Sequence, residues 1–135
     1  MKLAIVLDCV DAPGLVAFWM AALGYEHAGS VPGFEVLRSP EGSDAAPTFL
    51  LQQVDEPRSD KNRTGNNRMH VDVHPPLDLG VPALVHRLES LGGRALGPPV
   101  TDLVQTLGIW WQTMADPEGN VFDVVADPGH PPPVV

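Results

Sequence analysis

Three polar side chains at alternate positions form the segment of the sequence best suited to chemistry. The segment MHVDVH, residues 69–74, would place His70, Asp72 and His74 on one face of a strand, because successive side chains of a strand point to opposite faces. Imidazole and carboxylate groups transfer protons near neutral pH and bind divalent metals. A hydrogen-bonded polar wall is the alternative. We take His70 and Asp72 as candidate catalytic residues and His74 as a candidate substrate-binding residue.

Two other predicted strands carry further candidate binding residues. Along the first strand, Ala4, Val6 and Asp8 would share one face, which makes Asp8 a candidate for contact with substrate. Trp110 and Trp111 are adjacent, so one must face the site and the other the opposite side. The sequence does not decide which of them faces the site. An indole there would offer a flat surface to a planar ligand, and the alternative is a tryptophan packed in the core or at a dimer interface.

Two helices and a set of short strands must position these residues. The first helix follows Asp11, a suitable N-cap, and ends before Gly24; the second runs from Val81 to Leu91 with an apolar stripe at helical spacing. The predicted strands are Leu3–Leu7, Phe34–Arg38, Thr48–Val54, Met69–Val73, Ile109–Met114 and Val121–Ala126, with weaker ones at Tyr25–Ala28 and Arg94–Leu96.

The order of these elements repeats. Both helices end in Leu-Gly, and a Pro-Glu-Gly turn precedes the last strand of each half. Each half therefore is predicted to be a βαβββ module, and the fold class is α+β. We predict a single domain over 1–126, with module one at about 1–54, a linker at 55–68 and module two at about 69–126. A flexible proline-rich tail, 127–135, is expected to leave its backbone unpaired.

Composition limits the partners. The 135 residues include 8 basic and 17 acidic side chains, a net charge of −9, which disfavours nucleic acids and anionic membrane surfaces. No apolar run approaches the roughly 20 residues of a membrane span. The single cysteine, Cys9, cannot form an internal disulfide. We therefore predict a cytoplasmic protein with no nucleic-acid or membrane partner.

An ordered set of short motifs runs along nearly the whole chain up to the tail. They are LDCVD at 7–11, FW at 18–19, LGY at 23–25, KNR at 61–63, NRMHVDV at 67–73, LGG at 91–93 and ADPEGNVF at 115–122. With these motifs the chain resembles the vicinal oxygen chelate superfamily, which contains glyoxalase and bleomycin-resistance proteins, and more narrowly the glyoxalase-like domains common in actinobacteria. The resemblance implies that the two modules curl a mixed sheet into a cup.

In metal-dependent members of that superfamily, four side chains on the wall of the cup hold one divalent ion. The resemblance carries these positions onto Ala4, Gln52, His70 and Asp123, with Gln53 as the alternative to Gln52 if the register slips by one. Alanine supplies no ligand. The resemblance therefore implies a metal site, made of Gln52, His70 and Asp123, that is weak or absent, and no organic cofactor is expected.

The resulting interpretation is a glyoxalase-like protein, a homodimer, that binds a small organic molecule in its cup. As an enzyme it would be a lyase, isomerase or dioxygenase with an incomplete or altered metal site. The alternative is a metal-free protein that sequesters a drug or natural product, as bleomycin-resistance proteins do.

Overall fold

A computed structural model describes residues 1–42, 44–55 and 68–133 of the chain. Apart from its two end residues, the predicted linker at 55–68 lies outside the described residues. Within the described ranges, no helix is long and apolar enough to cross a membrane.

The structure is mixed α+β, as predicted. Its elements are β1 (Lys2–Cys9), α1 (Ala12–Leu23), β2 (Glu26–Val31), β3 (Phe34–Arg38), β4 (Thr48–Gln53), β5 (Met69–His74), α2 (Val81–Ser90), β6 (Arg94–Ala95), α3 (Val104–Leu107), β7 (Trp110–Ala115) and β8 (Val121–Ala126). The eight strands form one mixed sheet in the order β2-β3-β4-β1-β5-β8-β7-β6. Counted from either edge of the sheet, the order is the second, third, fourth and first strand of one half of the chain. The two halves therefore repeat one pattern, which confirms the predicted fold class.

The chain divides into two compact units. The first contains α1 with most of β1 and all of β2 to β4, and the second contains α2, α3 and β6 to β8. The boundary falls inside β5, because Arg68–Val71 belongs to the first unit. Each unit has its own hydrophobic core. The first core lies under α1 and the second under α2.

Helix α1 begins where three side-chain contacts hold its first turn. The Asp11 carboxylate accepts a hydrogen bond from the backbone N–H of Gly14 at 3.1 Å. At the end of β4, Gln53 accepts a bond from the N–H of Ala12 at 2.9 Å and donates one to the carbonyl of Val10. These bonds satisfy backbone groups that a helix start leaves without partners. The helix ends at Gly24, whose φ of 69° lies in the left-handed region that glycine adopts without strain.

Helix α2 packs on the sheet of the second unit. Val81 and Leu84 are buried against Trp110, Met114 and Val124 of β7 and β8. The short helix α3 was not predicted, because its four residues make a single turn that shows no apolar periodicity.

The apolar face of β5 is only partly covered. Val73 packs on the second core, but Met69 and Val71 are 48% and 38% exposed. Because Met69, Val71 and Val73 form the apolar face opposite the polar one, the sequence predicts that all three pack under helices, and for the first two this is wrong. The reason is that α1 packs mainly on β3 and β4, and α2 mainly on β8 and β6, so no helix among the described residues covers the first half of β5.

The start of the proline-rich tail is attached to the second unit. The indole Nε1–H of Trp110 donates to the carbonyl of Pro131 at 3.0 Å, and Asp127 is hydrogen-bonded to His74. The expectation that this tail leaves its backbone unpaired is therefore wrong at Pro131, because proline lacks the N–H but keeps an acceptor carbonyl. Flexibility of the tail stays a prediction.

Candidate active site

One imidazole and two carboxylates meet on the strand pair β5–β8. The two strands run parallel with Asp72 opposite Asp123, and His70 lies two positions before Asp72 on the same face of β5. Ligand atoms of the three side chains lie within 4.8 Å of one another. We call this group the β5–β8 cluster. Within the described part of the chain, no other three His, Cys, Asp or Glu residues come this close.

Strand alternation places the cluster on the face away from α2. Val73 and Val124, which directly follow Asp72 and Asp123, pack in the core under that helix. The two carboxylates must therefore point to the opposite face. His70 and Asp123 are only 6% and 4% exposed. Burying polar groups of this kind costs folding free energy unless the groups are paired. Their clustering therefore marks the strand pair as a candidate functional site.

Thr113 holds Asp123 in position. It lies opposite Asp123 on β7, and its hydroxyl donates to Asp123 Oδ1 at 2.7 Å. Sequence reasoning did not single out Thr113, although a signal was present. The turn over 116–120 pairs Ala115 with Val121, and counting outward by two residues from that pair brings Thr113 opposite Asp123.

The two adjacent tryptophans lie on different faces of β7. Trp110 is buried in the core beside α2, so it is not on the face of the cluster. Trp111 shares the face of Thr113; it lies opposite Val125 of β8, and its backbone N–H and C=O are both hydrogen-bonded to Val100. Of the two candidates for ligand stacking, Trp111 therefore is the one on the same face as Asp123.

The first unit carries the predicted residues of β1 and β4. Ala4, Val6 and Asp8 are buried on one face of β1, and Asp8 lies beside Gln52 in the parallel pair β1–β4. Gln53 points the other way and is bonded to the start of α1. This orientation identifies Gln52 as the side chain that shares the face of Asp8. Ala4 offers no ligand atom.

His74 makes a separate contact at the end of β5. Its Nδ1 lies 2.9 Å from Asp127 Oδ1. This hydrogen bond lowers the pKa of Asp127, and the nearby charges of Lys2 and His130 act in the same direction against the opposing effect of burial. The carboxylate is therefore ionised and accepts the Nδ1 proton.

The chemistry of the β5–β8 cluster fits a divalent metal. One imidazole and two carboxylates are ligands for Mn²⁺, Fe²⁺ or Zn²⁺, and three protein ligands leave coordination positions for a substrate. The residues that would hold the ion are His70, Asp72 and Asp123. Asp72 was predicted as a catalytic residue and not as a ligand. The four-residue set derived from the resemblance does not fit, because Ala4 contributes nothing to it.

The chain resembles known proteins both in sequence and in fold. The model of a protein family described as "Glyoxalase-like domain" matches residues 4–125. No curated protein sequence matches the chain.

Solved structures of the same fold come from several bacteria. A Legionella pneumophila protein described as an NAD-dependent benzaldehyde dehydrogenase has a TM-score of 0.64 at 13% identity, over 92% of this chain and 97% of its own. A glyoxalase/bleomycin resistance protein/dioxygenase superfamily member from Vibrio splendidus has 0.57 at 14%, over 93% and 98%. A Streptomyces coelicolor methylmalonyl-CoA epimerase variant in complex with 2-nitronate-propionyl-CoA has 0.60 at 19%, over 98% and 98%. At these identities the likeness concerns the fold alone.

Proposed function

Because the chain belongs to the family of glyoxalase-like domains, we propose that it is a lyase-, isomerase- or dioxygenase-type enzyme acting on a small oxygenated molecule at the β5–β8 cluster. The observation that carries the proposal is the approach of His70, Asp72 and Asp123 to within 4.8 Å of one another. A similar fold is described in complex with 2-nitronate-propionyl-CoA, an oxygen-rich ligand. We also propose, on its motifs, that the chain falls in the actinobacterial glyoxalase-like subgroup.

The residues of the cluster have separate tasks in this proposal. In the metal-free form of this proposal, His70 and Asp72 accept and return a proton at the substrate carbon, since imidazole and carboxylate groups are effective general acids and bases. Asp123, oriented by Thr113, completes the polar set. Trp111 offers its indole to a planar part of the substrate. If a divalent ion is bound instead, His70, Asp72 and Asp123 would hold it as ligands, and the ion would supply Lewis-acid stabilisation of an oxyanion on the substrate.

The metal is expected to bind weakly. Three protein ligands, two of them on one strand, form a smaller donor set than the four of metal-dependent superfamily members. Two carboxylates still make the set more suitable for a hard divalent ion than the neutral amide of Gln52. The activity of the enzyme would then depend on the concentration of free metal ions, and loss of the ion would leave the protein folded.

The first experiment measures metal binding. The protein is treated with EDTA, and Mn²⁺ and Zn²⁺ are titrated by calorimetry into the parent and into Asp72→Asn, Asp123→Asn and the exposed control Asp102→Asn. We expect one site per chain, and loss of at least about tenfold in affinity, about 1.4 kcal/mol, in the two cluster variants only. Equal binding by all four proteins would overturn the metal assignment.

The second experiment measures turnover. Dicarbonyl and aromatic hydroxy compounds are screened for binding through tryptophan fluorescence, and the compounds that bind are incubated with protein and metal. We expect conversion to product, abolished by His70→Ala and retained by Asp102→Asn. If His70→Ala converts the compounds as fast as the parent, the catalytic role of His70 is wrong.

Sequestration of a small molecule is the second candidate function. It is favoured by Ala4, which removes one ligand of the superfamily set, and by Trp111 on the cluster face. A sequestering protein would hold the compound unchanged, with an affinity that EDTA does not alter. Recovery of intact compound after long incubation with metal, together with tight metal-independent binding, would favour this function over catalysis.

A further inference from the structure

A cavity lies at the carboxyl ends of β5 and β8. Its volume is about 310 Å³, at the lower end of the range typical of small-molecule sites. All of its described lining residues belong to one unit, and none of them is part of the β5–β8 cluster. The predicted tail contributes Asp127 and Pro128 to its wall.

Basic side chains dominate the polar lining of this cavity. Lys2, His74 and His130 line it together with a single acidic residue, Asp127. Asp127 is hydrogen-bonded to His74, and electrostatic interactions with Lys2 and His130 also lower its pKa. The one carboxylate is thus already engaged by His74. In a chain with a net charge of −9, this is a local concentration of basic groups.

The remaining wall is apolar. Leu77 is 61% exposed at the cavity, and Pro128 faces it from the tail. A large aliphatic side chain exposed beside a group of basic side chains is suited to a ligand that has an apolar body and an anionic end. The wall is also held in place, because Trp110 fixes the tail through Pro131 and His74 fixes it through Asp127.

We propose that this cavity binds a small organic carboxylate. Lys2 and His130 hold the carboxylate group, and Leu77 and Pro128 cover the apolar body. The hydrogen bond to His74 fixes the position of the protein's own carboxylate, Asp127, in the wall of the cavity. This site is separate from the proposed catalytic site and does not depend on a metal.

The test uses benzoate as the probe, with benzamide and benzylamine as neutral and cationic analogues of similar shape. Binding is measured by calorimetry on EDTA-treated protein at pH 7. We expect benzoate to bind and the two analogues to bind at least about tenfold more weakly, a difference of about 1.4 kcal/mol. Benzamide binding as tightly as benzoate, or no binding of benzoate, would overturn the proposal.

Variants locate the site. Lys2→Gln is expected to weaken benzoate binding at least about tenfold, whereas Arg87→Gln, which removes an exposed cation elsewhere in the same unit, leaves it unchanged. Leu77→Ser should weaken it through the apolar contact. Circular dichroism and thermal melts check that each variant is folded.

Asp123→Asn separates the two proposals. It is expected to lose metal binding and to bind benzoate as the parent does. If benzoate binding is lost in Asp123→Asn and retained in Lys2→Gln, benzoate occupies the cluster and the second site does not exist. If neither the parent nor any variant binds metal, but Lys2→Gln weakens benzoate binding, the second site is supported and the proposed catalytic site is wrong.

Discussion

Single side chains decide the chemistry of the cluster, and Asp123 depends on one neighbour in particular. Thr113 donates its hydroxyl to Asp123 at 2.7 Å, and Asp123 is only 4% exposed. A buried carboxylate that loses a donor keeps the cost of its desolvation without that compensating bond. The geometry of Asp123 is therefore expected to depend on a residue that has no role in proton transfer itself.

Replacement of Thr113 by valine tests this dependence. Thr113→Val has nearly the same shape and lacks the donor, so we expect the free energy of unfolding at pH 7 to fall by about 1–3 kcal/mol. Urea denaturation measures the change. Thr113→Ser keeps the hydroxyl and is expected to stay closer to the parent. If Thr113→Val is as stable as the parent, the hydrogen bond to Asp123 does not stabilise the fold.

Asp127 gives a prediction with a defined pH dependence. Its pKa in the folded protein is lowered from 3.8, first by the hydrogen bond from His74. A lowered carboxyl pKa contributes stability that is present above the ordinary value and is lost as the pH falls through the folded value. Because the side chain is 40% exposed, solvent screens the pair and the contribution is small.

We therefore expect Asp127→Asn to lower the free energy of unfolding by about 0.5 kcal/mol at pH 7. The difference from the parent should shrink as the pH drops below the ordinary carboxyl range. Urea denaturation at pH 7 and at several values below pH 4 measures both quantities. A difference that stays constant over this range would show that ionisation of Asp127 does not stabilise the fold.

At the scale of elements, the start of α1 depends on the end of β4. Gln53 accepts from the N–H of Ala12 and donates to the carbonyl of Val10, so one side chain fastens the strand to the helix. Gln53→Leu is expected to cost about 1 kcal/mol, because a helix start then loses an acceptor. Thermal or urea unfolding measures this, with exposed Gln105→Leu as the control. A loss no larger than that of the control would mean that Asp11 alone holds the helix start.

At the scale of the whole molecule, we predict a homodimer. Leu3, Met69 and Val71 are 46%, 48% and 38% exposed, and they lie on β1 and β5, which are neighbours in the strand order. Exposed apolar groups of this kind often mark an interface. Light scattering coupled to gel filtration should give about twice 14.4 kDa, and Met69→Asp should shift the mass toward the monomer. A parent protein of 14.4 kDa at micromolar concentration would contradict the prediction.

The sequence by itself determined the elements and the faces of the strands. Apolar spacing and the Asp11 and Gly24 signals defined α1, and the repeated turns indicated two βαβββ modules; these are local patterns that a chain carries without its tertiary contacts. The alternation of MHVDVH likewise predicted that His70 and Asp72 share a face. Their roles in catalysis stay predictions.

Only the tertiary structure decided which distant residues meet. The pairing of β5 with β8 brings Asp72 to Asp123, and the position of α2 decides that Trp110 is buried while Trp111 faces the other way. The placement of α1 and α2 away from the first half of β5 leaves Met69 and Val71 exposed in the part of the chain that the structure describes. The contact of Asp127 with His74 joins residues 53 positions apart. Such contacts depend on strand register and helix placement, which local periodicity does not specify.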